Sequence, residues 1–310
     1  MKKFSKSRGG NSRILPSKRW NDEGVASTVG TIMALMVFLS FLSLMTNSYV
    51  PVWMEDNESN HVNIVENQFG NLKWSVDNQI LGSQITGHSD VVMYTPITLS
   101  ADGIPVFASP TAGALQIIPE SGSLSSMQVS FNYSTNATGT PVTYHITESS
   151  GGNVALYMPN RYFVQQTIIY ENGAIIVNQS LGEVVRASPD FKLETYQGSL
   201  RMTLTQISIH GNNQSVAGFG TRGVNTNLIY CDFQQYDDVT GNVTLTITSP
   251  YGQAWEKFMT AYLSQNAAGD YTLTTSENGG VYTITATVEN VSTIINNHAY
   301  VDISMAESVS

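Results

Sequence analysis

Val25 to Val50 reads VASTVGTIMALMVFLSFLSLMTNSYV, 26 residues without a charged side chain. A bilayer core about 30 Å thick needs roughly 20 such residues in a helix. The Ser, Thr and Asn within the run can bond back to the helix backbone, so they do not forbid burial in lipid. The stretch therefore predicts a transmembrane helix over residues 25–50. A cleaved secretory signal fits poorly, because its apolar region is about 7–15 residues long and ends at a small-x-small site. No Ala-x-Ala follows here.

The flanks orient the span. Residues 1–24 hold seven basic residues (Lys2, Lys3, Lys6, Arg8, Arg13, Lys18, Arg19) and two acids, while Glu55, Asp56 and Glu58 follow the span. The positive-inside rule predicts that residues 1–24 are a basic cytoplasmic segment and that the chain from residue 51 onward is extracellular. Tyr49 and Trp53 stand where an interfacial aromatic anchor would stand. Ala26, Gly30 and Ala34 recur every four residues, a small-residue spacing that lets helices approach closely in lipid. They are the candidate helix-packing residues.

Beyond the span the apolar period stays helical. Val62, Val65, Phe69, Leu72, Val76 and Ile80 are spaced three or four apart, which predicts an amphipathic helix within a segment of residues 51–88. Residues 51–88 are expected to form an amphipathic helical stalk that continues the span as one long helix packed on the β-domain, with a simple stalk or a core helix as the alternative. From Val91 the period becomes two, and Val, Ile, Thr and Tyr dominate. Strands are predicted at 125–133, 141–147, 153–158, 166–178, 199–209, 226–235, 242–248, 271–288 and 299–305. Glu171-Asn172-Gly173 and Glu277-Asn278-Gly279-Gly280 are hairpin signals. One helix should interrupt the strands, capped by Ser249 with Pro250 in its first turn and Ala254, Trp255, Phe258, Tyr262 and Leu263 along one face. The expected fold is mainly β: an N-terminal transmembrane helix continuing into an amphipathic helix, then an antiparallel β-sandwich-like extracellular domain, residues 89–310, with one short helix. That domain is one sandwich or two sub-sandwiches.

Composition narrows the function. Only 12% of the 310 residues are charged, against roughly 25% in ordinary soluble domains. Residues 25–310 hold 22 acids and seven basic residues, so nucleic acid is excluded as a partner, because phosphate binding needs clustered Lys and Arg. The single cysteine, Cys231, permits neither an intrachain disulfide nor a cysteine-based metal site. The five histidines, His61, His88, His145, His210 and His298, form no zinc pattern and read as surface or edge-strand residues. Asp237-Asp238 with Thr240-Gly241-Asn242 reads as a polar hairpin loop rather than a calcium loop. Gly87-His88-Ser89-Asp90 sets three triad residue types side by side, but triads assemble in space rather than in sequence. The expectation is no catalytic residue, no cofactor, no metal and no enzymatic activity. Seven Asn-x-Ser/Thr sequons, at Asn57, Asn132, Asn136, Asn178, Asn213, Asn242 and Asn290, are candidate N-glycosylation sites of a glycoprotein.

Gly24-Val25-Ala26-Ser27-Thr28-Val29-Gly30-Thr31-Ile32-Met33 resembles the N-terminus of archaeal type IV pilin-like proteins. These carry a basic leader, a short polar junction and an uninterrupted apolar helix. The resemblance implies a processing junction at Gly24 and Val25, and a helix that anchors the subunit in the membrane or packs in a filament. The run from Asn160 to Ile176 (NRYFVQQTIIYENGAII) looks like a segment of uncharacterised archaeal surface proteins with the same type of anchor. The functional expectation is a single-pass membrane protein with a structural role at the cell surface, either a pilin-like subunit or an envelope component. Its partners would be the lipid bilayer and itself or other pilin-like subunits. The alternative is an adhesion or ligand-binding module on the same anchor, with Tyr157, Tyr162 and Tyr170 as stacking platforms for sugars.

Overall fold

The computed structural model describes residues 22–87, 91–136, 140–196, 198–267 and 270–306. The basic segment 1–21 and His88, Ser89 and Asp90 lie outside the described residues, as do the side chains of residues 22–25. The chain divides into two compact units, Met1–Tyr49 and Val50–Ser310.

In the first unit, α1 (Asp22–Leu44) is followed by a π-helical turn, Met45–Tyr49. From Ala26 to Phe41 every side chain is exposed, although the face is almost wholly apolar. Its hydroxyls turn inward as expected: Thr31 Oγ1 donates to Ser27 O at 3.0 Å and Ser40 Oγ to Met36 O at 2.8 Å. Asn47 in the π turn donates to Ser43 O at 2.8 Å. A helix long and apolar enough to cross a membrane is therefore present.

The second unit opens with α2 (Val50–Thr86). The strands that follow are β1 (Met93–Thr98), β2 (Gly113–Pro119), β3 (Ser126–Thr135), β4 (Val142–Met158), β5 (Gln166–Glu171), β6 (Ala174–Gln179), β7 (Gly182–Ala187), β8 (Phe191–Tyr196), β9 (Ser199–His210), β10 (Gln214–Gly218), β11 (Thr221–Tyr236) and β12 (Val239–Ser249). Helix α3 (Gly252–Asn266) precedes β13 (Tyr271–Asn278), β14 (Val281–Val288) and β15 (Val291–Met305). One sheet runs β1-β11-β15-β9-β8. The other runs β13-β14-β12-β3-β4-β5-β6-β7, with β2 joining β10 to β4. The pairings are antiparallel except β15 with β9, which is parallel.

Two apolar cores fill the unit. In the first, Met127, Val129 and Phe131 of β3 and Leu245 and Ile247 of β12 meet Trp255, Met259 and Leu263 of α3. In the second, the α2 stripe Val62, Val65, Phe69, Leu72, Val76 and Ile80 is wholly buried, with α2 packed against β1, β11, β5 and β6. Each such side chain contributes about 1.5–3 kcal/mol on burial, so α2 is a core helix held to the sheets along its length. β9 and β15 serve both cores. Met202, Leu204 and Ile294 enter the first, while Ile207, Ile209, Ala299 and Val301 enter the second, as period-two alternation requires.

Several expectations change. The stretches 141–147 and 153–158 form one strand, β4, because the Ser149-Ser150-Gly151-Gly152 segment continues the ladder. Residues 142–151 pair with β3, and residues 152–158 pass between β2 and β5. Gly152 has φ +104°, and a Cβ there would lie 2.6 Å from Ile209 Cβ. The glycine's positive φ lets the strand continue here rather than end. The stretches 166–178 and 271–288 are hairpins turning at Asn172-Gly173 and Gly279-Gly280, all at positive φ. The last strand begins at Val291, not 299. Helix α3 begins at Gly252, and its cap position, Tyr251, makes no side-chain cap bond. Ser249 Oγ accepts from Tyr251 N at 3.0 Å one turn earlier.

Candidate functional site

Four donors from two distant chain segments converge on Glu58, in the third turn of α2. Its carboxylate is fully buried. Oε1 accepts from Thr111 Oγ1 at 2.8 Å and Arg161 N at 3.0 Å; Oε2 accepts from Tyr162 N at 2.8 Å and Phe163 N at 2.7 Å. Three successive backbone N–H groups thus wrap one carboxylate. Burial alone would push its pKa up, but the three amides and the Thr111 hydroxyl outweigh it and hold Glu58 below the usual carboxylate value. One turn further on, His61 Nε2 lies 2.9 Å from Thr98 O. Burial pushes its pKa down against the opposing Thr98 carbonyl and the Asp102 and Glu58 charges, so the ring is held neutral. The cluster's chemistry is that of a structural clasp: the Glu58 anion gathers residues 111 and 161–163 onto α2, and His61 adds residue 98.

A second buried carboxylate, Glu171, lies at the end of β5. It accepts from Ser125 Oγ at 2.7 Å, Ser249 Oγ at 3.1 Å and Trp255 Nε1 at 2.8 Å. Asn172 beside it accepts from Ser150 Oγ at 2.7 Å. Burial raises Glu171 to about 7, its three neutral donors opposing and the nearby Glu183 charge reinforcing. This network ties the β5–β6 turn to the start of α3.

A third cluster has the residue types of a hydrolase relay. Ser208 Oγ is 2.9 Å from His298 Nε2, and His298 Nδ1 is 3.6 Å from Glu148 Oε2. Ser208, however, is fully buried on β9, leaving no path for an acyl group to its hydroxyl. Asn296 Nδ2 donates to the same Glu148 oxygen at 2.6 Å, and the Tyr300 ring stacks on His298 at 4.3 Å and on Tyr230 at 4.2 Å. The ladder pins β15 to β4, β9 and β11. His298 and His61 are thus buried, against the surface reading, because each finds a polar partner on the adjoining chain; His145 and His210 are exposed.

The residues singled out from sequence are scattered. Ala26, Gly30 and Ala34 are exposed on one face of α1, and a Cβ added at Gly30 meets nothing within 4 Å. Gly24 and Val25 fall inside α1, with side chains outside the described residues. Tyr157 and Tyr162 are exposed but Tyr170 is fully buried in the second core, so the three form no common platform. Among the sequons, Asn132, Asn136, Asn213, Asn242 and Asn290 are exposed, while Asn57 and Asn178 are half-buried. Asn57 also donates to Asp102 O at 3.1 Å. Asn242 and Asn290 line one open cleft, and Asn132 pairs with Thr240 beside it. Asn132, Asn242 and Asn290 therefore share one end of the sheets. Asp237 and Asp238 occupy the β11–β12 turn, Asp238 at φ +56°. Among the described residues no group of three or more His, Cys, Asp or Glu is arranged to hold a metal.

Sequence reasoning missed both buried glutamates. Glu58 stands among the acids that orient the span, and Glu171 stands in a hairpin signal. No curated protein and no solved structure matches the chain. A family model matches residues 120–304, from the turn before β3 to the end of β15. The chain belongs to that family, the family of unknown function DUF7289.

Proposed function

We propose that this is a non-enzymatic structural protein of the cell surface, anchored by α1 with its basic N-terminal segment in the cytoplasm and its β-rich body outside. One observation carries the reading: α1 exposes an uncharged, almost wholly apolar surface from Ala26 to Phe41, which in water would be an unusually large unpartnered patch. The basic residues before it and the acids after it support the orientation. The resemblance at Gly24–Met33 supports a pilin-like subunit or an envelope component. The exposed sequons support display on the glycosylated face of a membrane.

The test is fractionation of the full chain. Wild-type protein is expected to resist alkaline carbonate extraction, with its body digested by protease added outside intact cells. Replacing both Met36 and Phe38 by Lys adds about 2.5–3.5 kcal/mol per charge at a helix centre in lipid and should release the protein. Carbonate extraction of the wild type would refute the anchor. For lateral assembly, Gly30→Leu is a clean probe, because the position is open within one chain. Crosslinked oligomers in membranes should diminish; undiminished crosslinking would dismiss the Ala26, Gly30 and Ala34 face as the contact.

A further inference from the structure

We infer that the body makes a second contact with the bilayer, through an apolar collar of loops around the start of α2. This inference rests on the anchored reading above. The chain after β1 follows α2 backward toward its first residue. Ser75 Oγ is 3.5 Å from Thr95 Oγ1, Thr98 N donates to Gln68 Oε1 at 2.8 Å, His61 meets Thr98 O at 2.9 Å, and Asn57 donates to Asp102 O at 3.1 Å. The loop Gly103–Ala108 comes next in this progression. It is closed on itself by Ile104 N to Ala108 O and Ala108 N to Ile104 O, both 2.9 Å.

Two further loops reach the same end. Glu58 clasps residues 161–163, and Leu99 N donates to Gly220 O at 2.7 Å, bringing the β10–β11 turn alongside. What these segments show to solvent is apolar: Val106 is 100% exposed, Phe219 62% and Tyr162 42%, with Phe107 at 39% and Val52 and Trp53 of α2 at 54% and 43%.

Val106 is the most telling. It stands at φ +72°, a conformation that a β-branched residue adopts only under strain, and it is fully exposed at a loop tip. Water would favour Gly or Asn there on both counts.

The occupant is the lipid surface because of chain continuity. Val50, the first residue of this body, directly follows Tyr49, the last residue of the unit containing the apolar helix. At about 1.5 Å per residue, Asn57 is about 10 Å along α2 from Val50. The headgroup zone is roughly 5–8 Å deep on each side of the hydrocarbon. A loop held at Asn57 is therefore tied within about 10 Å, along the helix, of the residue that directly follows the apolar helix's unit. Trp and Tyr are also the residues enriched at that depth.

The test uses the full chain in phosphatidylcholine vesicles with and without brominated lipid. In a Cys231→Ser background, a bimane label is placed in turn at Val106→Cys, Phe219→Cys, Phe38→Cys in α1 and Asn242→Cys at the sequon end. The expected result is strong quenching at 38, partial quenching at 106 and 219, and none at 242. Quenching at 38 with 106 and 219 behaving like 242 would overturn the collar and leave the anchor standing. Absence of quenching at 38 would overturn the anchored reading and the collar together.

Discussion

Glu58 and Glu171 are both fully buried carboxylates, yet their surroundings drive them in opposite directions. Glu58 is wrapped by three backbone amides and a threonine hydroxyl, and its pKa falls. Glu171 receives two serine hydroxyls and an indole N–H, and its pKa rises to about 7. Burial opposes the charge at both sites. The difference is that a loop's successive amides are fixed dipoles with no alternative but to point at Glu58, whereas hydroxyl donors can serve a protonated acid almost as well. The amide-wrapped glutamate is a permanent anion that organises loops; the hydroxyl-bound one is a near-neutral joint between two cores.

The comparison can be broken most forcefully at Glu58. Replacing it with Ala leaves three buried or half-buried N–H groups and Thr111 without an acceptor, each worth about 1–3 kcal/mol. Glu58→Ala should therefore lose about 4 kcal/mol or more in denaturant unfolding and expose the 159–165 segment to proteolysis first. Unchanged stability would remove the clasp from the account.

The next effect is in the pH profile. Glu171 binds its proton more tightly in the folded state, so the fold gains stability as pH falls from about 7 toward the ordinary carboxylate range, and loses it as pH rises through that window. A shift from 4.5 to about 7 corresponds to roughly 3 kcal/mol. Glu58 has the opposite sign: its contribution is present above its unfolded pKa and is lost as pH falls through its lower folded value. Together they give opposite slopes: Glu58 adds stability as pH rises toward the ordinary carboxylate range, and Glu171 removes it above that range. Glu171→Gln should flatten the alkaline limb of thermal stability between pH 5 and 8 and leave the acid limb in place. A parallel shift of the whole curve would contradict the assignment.

Two smaller changes sharpen the contrast. Thr111→Val removes one of four donors to Glu58 and should cost about 1.5 kcal/mol, since the bond is to a charged group. Ser249→Ala removes one neutral donor from Glu171 and should cost about 1 kcal/mol, with a further rise in the Glu171 pKa visible as a displaced alkaline limb. Equal costs and equal pH effects in the two variants would erase the distinction between the sites.

Much of the framework could be read from sequence because it depends on periodicity. The uncharged run of α1 and the six apolar positions of α2 needed only spacing, and Asn172-Gly173 and Gly279-Gly280 needed only turn chemistry. The strands that were missed lack such marks. β1 contains Pro96, β2 ends at Pro119, β7 and β8 are six-residue pieces, and β10 finds its partner in the distant β2. The early start of β15 was hidden because Asn296, Asn297 and His298 look like loop residues. They are buried polar partners of Glu148, Gln206, Thr205 and Ser208, visible only when β4 and β9 are brought alongside. Glu58 and Glu171 were illegible for the same reason: burial of a carboxylate depends on donors more than forty residues away in the chain.

The unbroken course of β4 has a mechanical consequence. A backbone of 17 residues runs through both cores, bonded to β3 over its first part and to β2 and β5 over its second. The two cores cannot swing apart as hinged halves without tearing ladders on both sides of one strand. Tension applied along that strand meets many hydrogen bonds in shear at once, instead of unzipping them singly. Under pull the body would yield as one stiff piece.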